Sequence, residues 1–192
     1  QNASGEQLFG VDTTTTVNLL SNSSMESDLA GWSPKSIFTI NTDFETSTTS
    51  WTKLGTNDAI SRTTGEFYNG TASLQVDTSA TDAAGADGAR FTFSLLSSTT
   101  YTFSVYAKAS GSSFSTFELG RSEDGTTRTS CLTAQTVNTS GWANYTCTFT
   151  TGGSVSGTRY MYVRQTDQAT RTFYIDSVSL TDSVLSRSTS QH

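Results

Sequence analysis

From position 36 onward, apolar residues recur at alternate positions in short bursts divided by turn residues. The clearest runs are 72–78 (ASLQVDT), 89–97 (ARFTFSLLS), 100–108 (TYTFSVYAK), 114–120 (FSTFELG), 130–137 (SCLTAQTV), 142–150 (WANYTCTFT), 159–165 (RYMYVRQ) and 171–180 (RTFYIDSVSL). In the third, Tyr101, Phe103, Val105 and Ala107 point one way, while Thr102, Ser104, Tyr106 and Lys108 point the other. A period of two is the mark of a strand with one buried face. Strands spaced by about ten residues, with no stretch keeping helical periodicity for three turns, predict an all-β antiparallel sandwich and no βαβ unit.

Composition agrees with this pattern. Apolar residues make up 33% of the 192 residues and aromatics 11%, with Ser and Thr supplying about a third of the chain. Thr, Tyr, Phe and Val suit pleated, half-buried surfaces, whereas a disordered chain has fewer aromatics and more charge. The formal net charge is −6 without any basic run, which excludes the Lys/Arg stripe a nucleic-acid partner requires. No apolar stretch is long enough to span a membrane as a helix. A start at Gln1 without Met is what a processed mature N-terminus or a trimmed chain gives.

Cys131 and Cys147 lie symmetrically about Thr139, inside the turn signal VNTSG. A hairpin folded there sets them opposite one another on adjacent antiparallel strands, ready for a disulfide; two buried free thiols are the other reading. Five Asn-x-Ser/Thr sequons, at Asn2, Asn22, Asn69, Asn138 and Asn144, are compatible with export. With the disulfide they place the protein outside the cytoplasm, secreted or at the cell surface.

One motif is written twice. Asn22, Met25, Glu26 and Trp32 answer to Asn41, Phe44, Glu45 and Trp51 nineteen residues later. That interval is too short for a domain but ample for a strand and its connection. The chain therefore reads as an N-terminal extended arm at 1–35 with a strand-like copy of the domain's opening, a β-domain at 36–182, and a polar tail at 183–192. Docked on an open sheet edge through Val17, Leu19, Leu20, Met25 and Trp32, the arm pairs in cis or crosses to the next copy of the chain. Crossing generates a head-to-tail homopolymer.

From about 37 to 181 the chain resembles the carbohydrate-binding modules of the family 4/9/22 type, secreted β-jelly-roll domains. The matching segments are NTDFE followed by Trp51, SRTTGEFYNGTASLQV, LLSSTTYTFSVYAKAS, GWANYTCTFT and RTFYIDSVSL, in that order. The resemblance implies a two-sheet antiparallel jelly roll, with Trp142 where the family has a packing Trp. It also implies a structural calcium ion held by Glu45 and Asp176, whose carboxylates suit a cation that prefers oxygen ligands; acceptance of backbone amides by the two carboxylates is the alternative. Sugar-binding members stack exposed rings on pyranose faces beside polar side chains. The candidates here are Tyr106, Tyr160, Tyr162, Arg164 and Gln165, with Tyr160, Tyr162 and Arg164 sharing one strand face opposite the core residues Met161 and Val163.

Catalysis finds little support. The single His is His192, which leaves no His for a nucleophile–base pair in a rigid site, and neither HExxH, CxxC nor a phosphate-binding Gly loop occurs. Asp77, Asp82, Asp87, Glu123 and Asp124 sit in or beside turn signals and read as solvated. Two non-enzymatic readings follow. The long arm and the scattered aromatics favour a structural subunit of an extracellular filament or surface assembly, joined by strand donation. The alternative is a glycan-binding module of a larger secreted protein, with polysaccharide as partner.

Overall fold

The structure is a computed structural model that describes residues 32–36, 42–156 and 158–187. The chain divides into two compact units, and the sandwich belongs to the larger, Pro34–Ser186. Among the described residues there are eleven strands and no helix: β1 (Trp32–Ser36), β2 (Trp51–Lys53), β3 (Ala59–Thr63), β4 (Ser73–Thr78), β5 (Asp87–Thr92), β6 (Thr100–Ser110), β7 (Phe114–Ser122), β8 (Thr129–Val137), β9 (Ala143–Thr150), β10 (Tyr160–Gln165) and β11 (Arg171–Arg187). Among these residues no helix is long and apolar enough to cross a membrane. One sheet runs β3-β4-β11-β6-β9, with β1 also paired to β11, and the other runs β2-β5-β10-β7-β8. The eight sequence runs all become strands. The short β2 and β3 were not anticipated, because neither carries an alternating apolar run.

Alternation along β6 and β9 builds much of the core. On β6, Tyr101, Phe103, Val105 and Ala107 are buried and their neighbours half-exposed, as the period-two pattern predicts. They meet Phe91, Phe117, Leu119, Met161 and Val163 from the second sheet and Phe173 and Ile175 from β11, all without solvent exposure. Each such side chain contributes on the order of 2 kcal/mol by leaving water. The second copy of the repeated motif is part of this packing, with Phe44 fully buried and its ring 5.5 Å from that of Trp51. Trp142 instead lies half-exposed near Tyr68 and Tyr174.

Cys131 and Cys147 are bonded, with Cα atoms 5.7 Å apart. The hairpin expected about Thr139 does not form as a paired ladder. β8 is the last strand of one sheet and β9 the last of the other, so the bridge ties two sheets together at one edge. The chain turns a corner at 138–142 where a hairpin would have paired, because Val137 and Tyr145 both pack inward.

The arm residues Val17, Leu19, Leu20 and Met25, and the sequons at Asn2 and Asn22, lie outside the described residues; Trp32 opens β1. Asn69, Asn138 and Asn144 are exposed. Two turn acids depart from expectation. Asp82 is 7% exposed and Asp87 fully buried, because the 56–57 segment closes on the first through its amides and the buried Gln165 side chain packs on the second.

Candidate functional site

The outer face of the five-stranded sheet collects polar and aromatic side chains around its central strand, β10. Cross-strand register sets them in rows. Tyr160 lies opposite Thr92 and Ser122, Tyr162 opposite Arg90 and Gly120, and Arg164 opposite Gly88 and Glu118. Thr52 extends the middle row from β2, and Ser130 from β8. Since side chains repeat every second residue, one strand delivers Tyr, Tyr and Arg to the same side.

Packing within this face fixes the side chains tightly. The Arg164 guanidinium donates through Nε and Nη2 to Glu118 Oε2, at 2.9 and 2.7 Å, and through Nη1 to the Gly85 carbonyl at 2.9 Å. Its carbon sits 5.0 Å from the centre of the Tyr162 ring. Ser130 Oγ reaches the same Glu118 oxygen at 2.7 Å and the Tyr162 hydroxyl at 3.0 Å. Burial pushes the Tyr162 phenol above its ordinary pKa, so it stays a neutral hydrogen-bonding group. Gly120 makes room for that ring. A Cβ there would run into the Tyr162 hydroxyl and ring and stand 2.6 Å from the Thr129 carbonyl.

Beside this network opens a cleft of about 400 Å³ lined by Thr52, Arg90, Thr92, Gly125, Thr158 and Tyr160. Arg90 lies over the Tyr160 ring, 4.9 Å from its centre. The wall at Gly125 belongs to the β7–β8 loop, held by Asp124. That carboxylate accepts from the Thr126 and Thr127 amides at 2.8 and 2.7 Å, and hydrogen bonds from Thr127 and Thr126 hold its pKa well below the usual carboxylate range.

The structure brings together Tyr160, Tyr162 and Arg164, and it separates the other two sugar-contact candidates. Gln165 points into the sandwich, fully buried, and its amide donates to Asp87 Oδ2 at 3.1 Å and to the Ala169 carbonyl at 2.8 Å. Tyr106 belongs to the opposite sheet. There its ring stacks on Tyr68 at 3.6 Å between centroids. Exposed stacking rings were expected at Tyr160 and Tyr162, but these are 3% and 0% exposed. The arginines cover them, which sequence alone does not reveal. Arg90, Glu118, Thr52 and Ser130 were missed. The polar positions of the 89–97 and 114–120 runs were the available signal, and register alone aligns them with β10.

Glu45 and Asp176 both attach to the 68–72 loop. Glu45 accepts from the Thr71 amide and hydroxyl and the Ala72 amide, and the Thr71 hydroxyl leads the causes that lower its pKa. Asp176, buried, accepts from Tyr68, Asn69 and Ser177 amides, although burial still raises its pKa. A carboxylate offers about four acceptor sites, so amides and a hydroxyl fill most of both. The donor set is satisfied without an ion, and calcium at this pair rests on the resemblance alone.

A family model described as a carbohydrate binding domain matches residues 38–177. Among solved structures, the chain is similar to the CBM22-1 xylan-binding domain of Paenibacillus barcinonensis Xyn10C, at 17% identity and a TM-score of 0.61, covering 78% of this chain and 97% of that one. It is also similar to the C-terminal family 22 carbohydrate binding module of Clostridium thermocellum Xyn10B, at 26% identity and a TM-score of 0.59, covering 75% and 92%. A third similar structure, at 17% identity and a TM-score of 0.58, covering 78% and 98%, is the Stig cyclase Fisc of Fischerella sp. TAU. No curated protein matches the chain.

Proposed function

Because the chain belongs to the carbohydrate binding domain family, over residues 38–177, we propose that it is a non-catalytic glycan-binding module whose site is the Arg90–Tyr160 cleft. The observation that carries this reading is the outer face of the five-stranded sheet, where an arginine, a tyrosine and three threonines line one cleft beside a cross-braced network. Sugars present hydroxyls at every edge, and Arg90, Thr52, Thr92 and Thr158 offer donors and acceptors on several sides of one chain-sized space. The cross-braced network of Arg164, Glu118, Ser130 and Tyr162 beside the cleft loses little conformational freedom on binding, which spares affinity. Since Arg90 covers the Tyr160 ring, hydrogen bonds rather than open stacking lead the recognition, and a soluble polysaccharide chain suits the cleft better than a flat crystalline surface.

The Clostridium thermocellum module, named for the role of its cleft in ligand binding, and the Paenibacillus barcinonensis domain, named as xylan-binding, make xylan the first ligand to try. The carboxylates near the cleft are both engaged, Glu118 by Arg164 and Asp124 by the Thr126 and Thr127 amides, whereas glycoside hydrolysis needs a pair of free acidic groups flanking the bond. The fold alone does not decide against catalysis, as the cyclase of the same fold demonstrates. The disulfide and three exposed sequons support an extracellular setting. Nothing in the described residues favours the filament reading.

A polysaccharide array followed by calorimetry tests the proposal. Binding of xylan or another soluble glycan by the intact chain, lost in Arg90→Ala and Thr158→Ala with circular dichroism unchanged, is the expected result. Binding to no glycan, or undiminished binding by both variants, overturns it.

A further inference from the structure

Three acidic side chains far apart in sequence meet at one end of the sandwich. Asp58 precedes β3, Asp82 lies in the β4–β5 loop, and Asp87 begins β5. All three are buried, and each places a carboxylate oxygen within 4.8 Å of the others. Carboxylates this close repel one another, and burial removes the water that would screen them. None of the ion pairs among the described residues involves any of them.

Backbone amides answer part of this charge. Asp58 accepts from Gly55, Ser79 and Gly88 at 2.9, 3.1 and 2.7 Å. Asp82 accepts from the Thr56 and Asn57 amides and the Asn57 side chain. Asp87 is different. Its Oδ2 accepts from Gln165, but its Oδ1 is buried with no hydrogen-bond partner. A buried carboxylate oxygen left unmatched on a member of a trio of like charges is the feature this group does not explain by itself.

Gly55 supplies a second, independent observation. A Cβ built there would stand 2.7 Å from Asp58 Oδ2 and 2.9 Å from the Ala86 carbonyl, and closer still to Asp82 Oδ2. Gly55 does not occupy the left-handed backbone region, so its turn does not require glycine. What requires it is the space over its Cα, where two carboxylates and a carbonyl converge.

We propose that Asp58, Asp82 and Asp87, with the Ala86 carbonyl, form a calcium-binding site. The set is all oxygen, which selects a hard cation over zinc or copper. Three carboxylates and one carbonyl, completed by water, meet the six to eight oxygen ligands typical of Ca²⁺, at a geometry looser than Mg²⁺ accepts. Asp87 Oδ1 becomes a ligand, and the ion replaces mutual repulsion with attraction. The site joins the β2–β3 and β4–β5 loops. The second of these also presents the Gly85 carbonyl to Arg164 and Arg128, so the ion steadies the network beside the glycan cleft. It is a different place from the Glu45–Asp176 pair.

Full-length protein stripped with EDTA and exchanged into calcium-free buffer is titrated with CaCl₂ by calorimetry and melted with and without the ion. The expected result is saturable Ca²⁺ binding and a rise in Tm of several degrees, because a ligand for the folded state alone stabilises it. Asp87→Asn and Gly55→Ala lose both, whereas Glu45→Gln keeps both. In EDTA, Asp87→Asn melts no lower than the parent, since it removes one of three like charges. A flat titration up to millimolar Ca²⁺ overturns the proposal, with the trio then neutralised by a proton. A Ca²⁺ response that survives Asp87→Asn, or that Glu45→Gln abolishes, overturns it too.

Discussion

Replacing both cysteines, as Cys131→Ser with Cys147→Ser, isolates the contribution of the bridge between the two sheets. The cysteines are 16 apart in sequence, and closing a loop of that size removes denatured-state entropy equivalent to about 3 kcal/mol at room temperature. For a chain of this length each kcal/mol moves Tm by about 2–4 °C, so the expected loss is about 6–12 °C. Serine at 147 adds the cost of a hydroxyl buried in an apolar core, since Cys147 is 6% exposed, so the same melts on Cys131→Ala with Cys147→Ala give the bridge's own share. Calorimetric melts and stopped-flow chevrons of parent and variant measure it. If the bridge acts on the denatured chain, folding slows roughly 100-fold while unfolding hardly changes. If it acts by holding two sheet edges together, unfolding accelerates and amide exchange rises in β8 and β9 alike. A loss below about 2 °C refutes the entropy argument. The variant also bears on function, because Ser130, next to Cys131, braces Glu118 and Tyr162; glycan affinity should fall even where the variant is fully folded.

Gly120→Ala should destabilise by about 1–3 kcal/mol, the usual cost of forcing atoms into a packed site, and weaken glycan binding by displacing Tyr162; denaturant melts and calorimetry read the two effects. Asp124 carries a depressed pKa, held down chiefly by its hydrogen bonds to Thr127 and Thr126. Its contribution is therefore complete above the unfolded carboxylate value of about 4 and fades only as pH falls through the lower folded value. Glycan affinity should accordingly hold from pH 7 to pH 5 in the parent, and Asp124→Asn should weaken it across that whole range by loosening the Gly125 wall, which affinity electrophoresis at several pH values checks.

Period-two alternation marked out β4 to β11, because a strand with one side in a core needs nothing beyond its own sequence to declare which side that is. The same alternation set Tyr160, Tyr162 and Arg164 on one face and Met161 and Val163 on the other. The turn signal about Thr139 pointed to the cysteine pair, since any turn there brings them back within reach. Which strands become neighbours was another matter. Pairing depends on contacts between segments remote in sequence, so only the tertiary structure assigned β8 and β9 to different sheets and turned a hairpin bridge into a bond between layers. Register decided that Arg90 and Glu118 flank Tyr162 and Arg164, and that Tyr106 faces away from them. Loop packing decided that Asp82 and Asp87, polar residues in turn-like segments, are buried against Asp58. A local pattern reports a residue's preference for water or core, but whether a loop returns over its own sheet is settled by the rest of the chain.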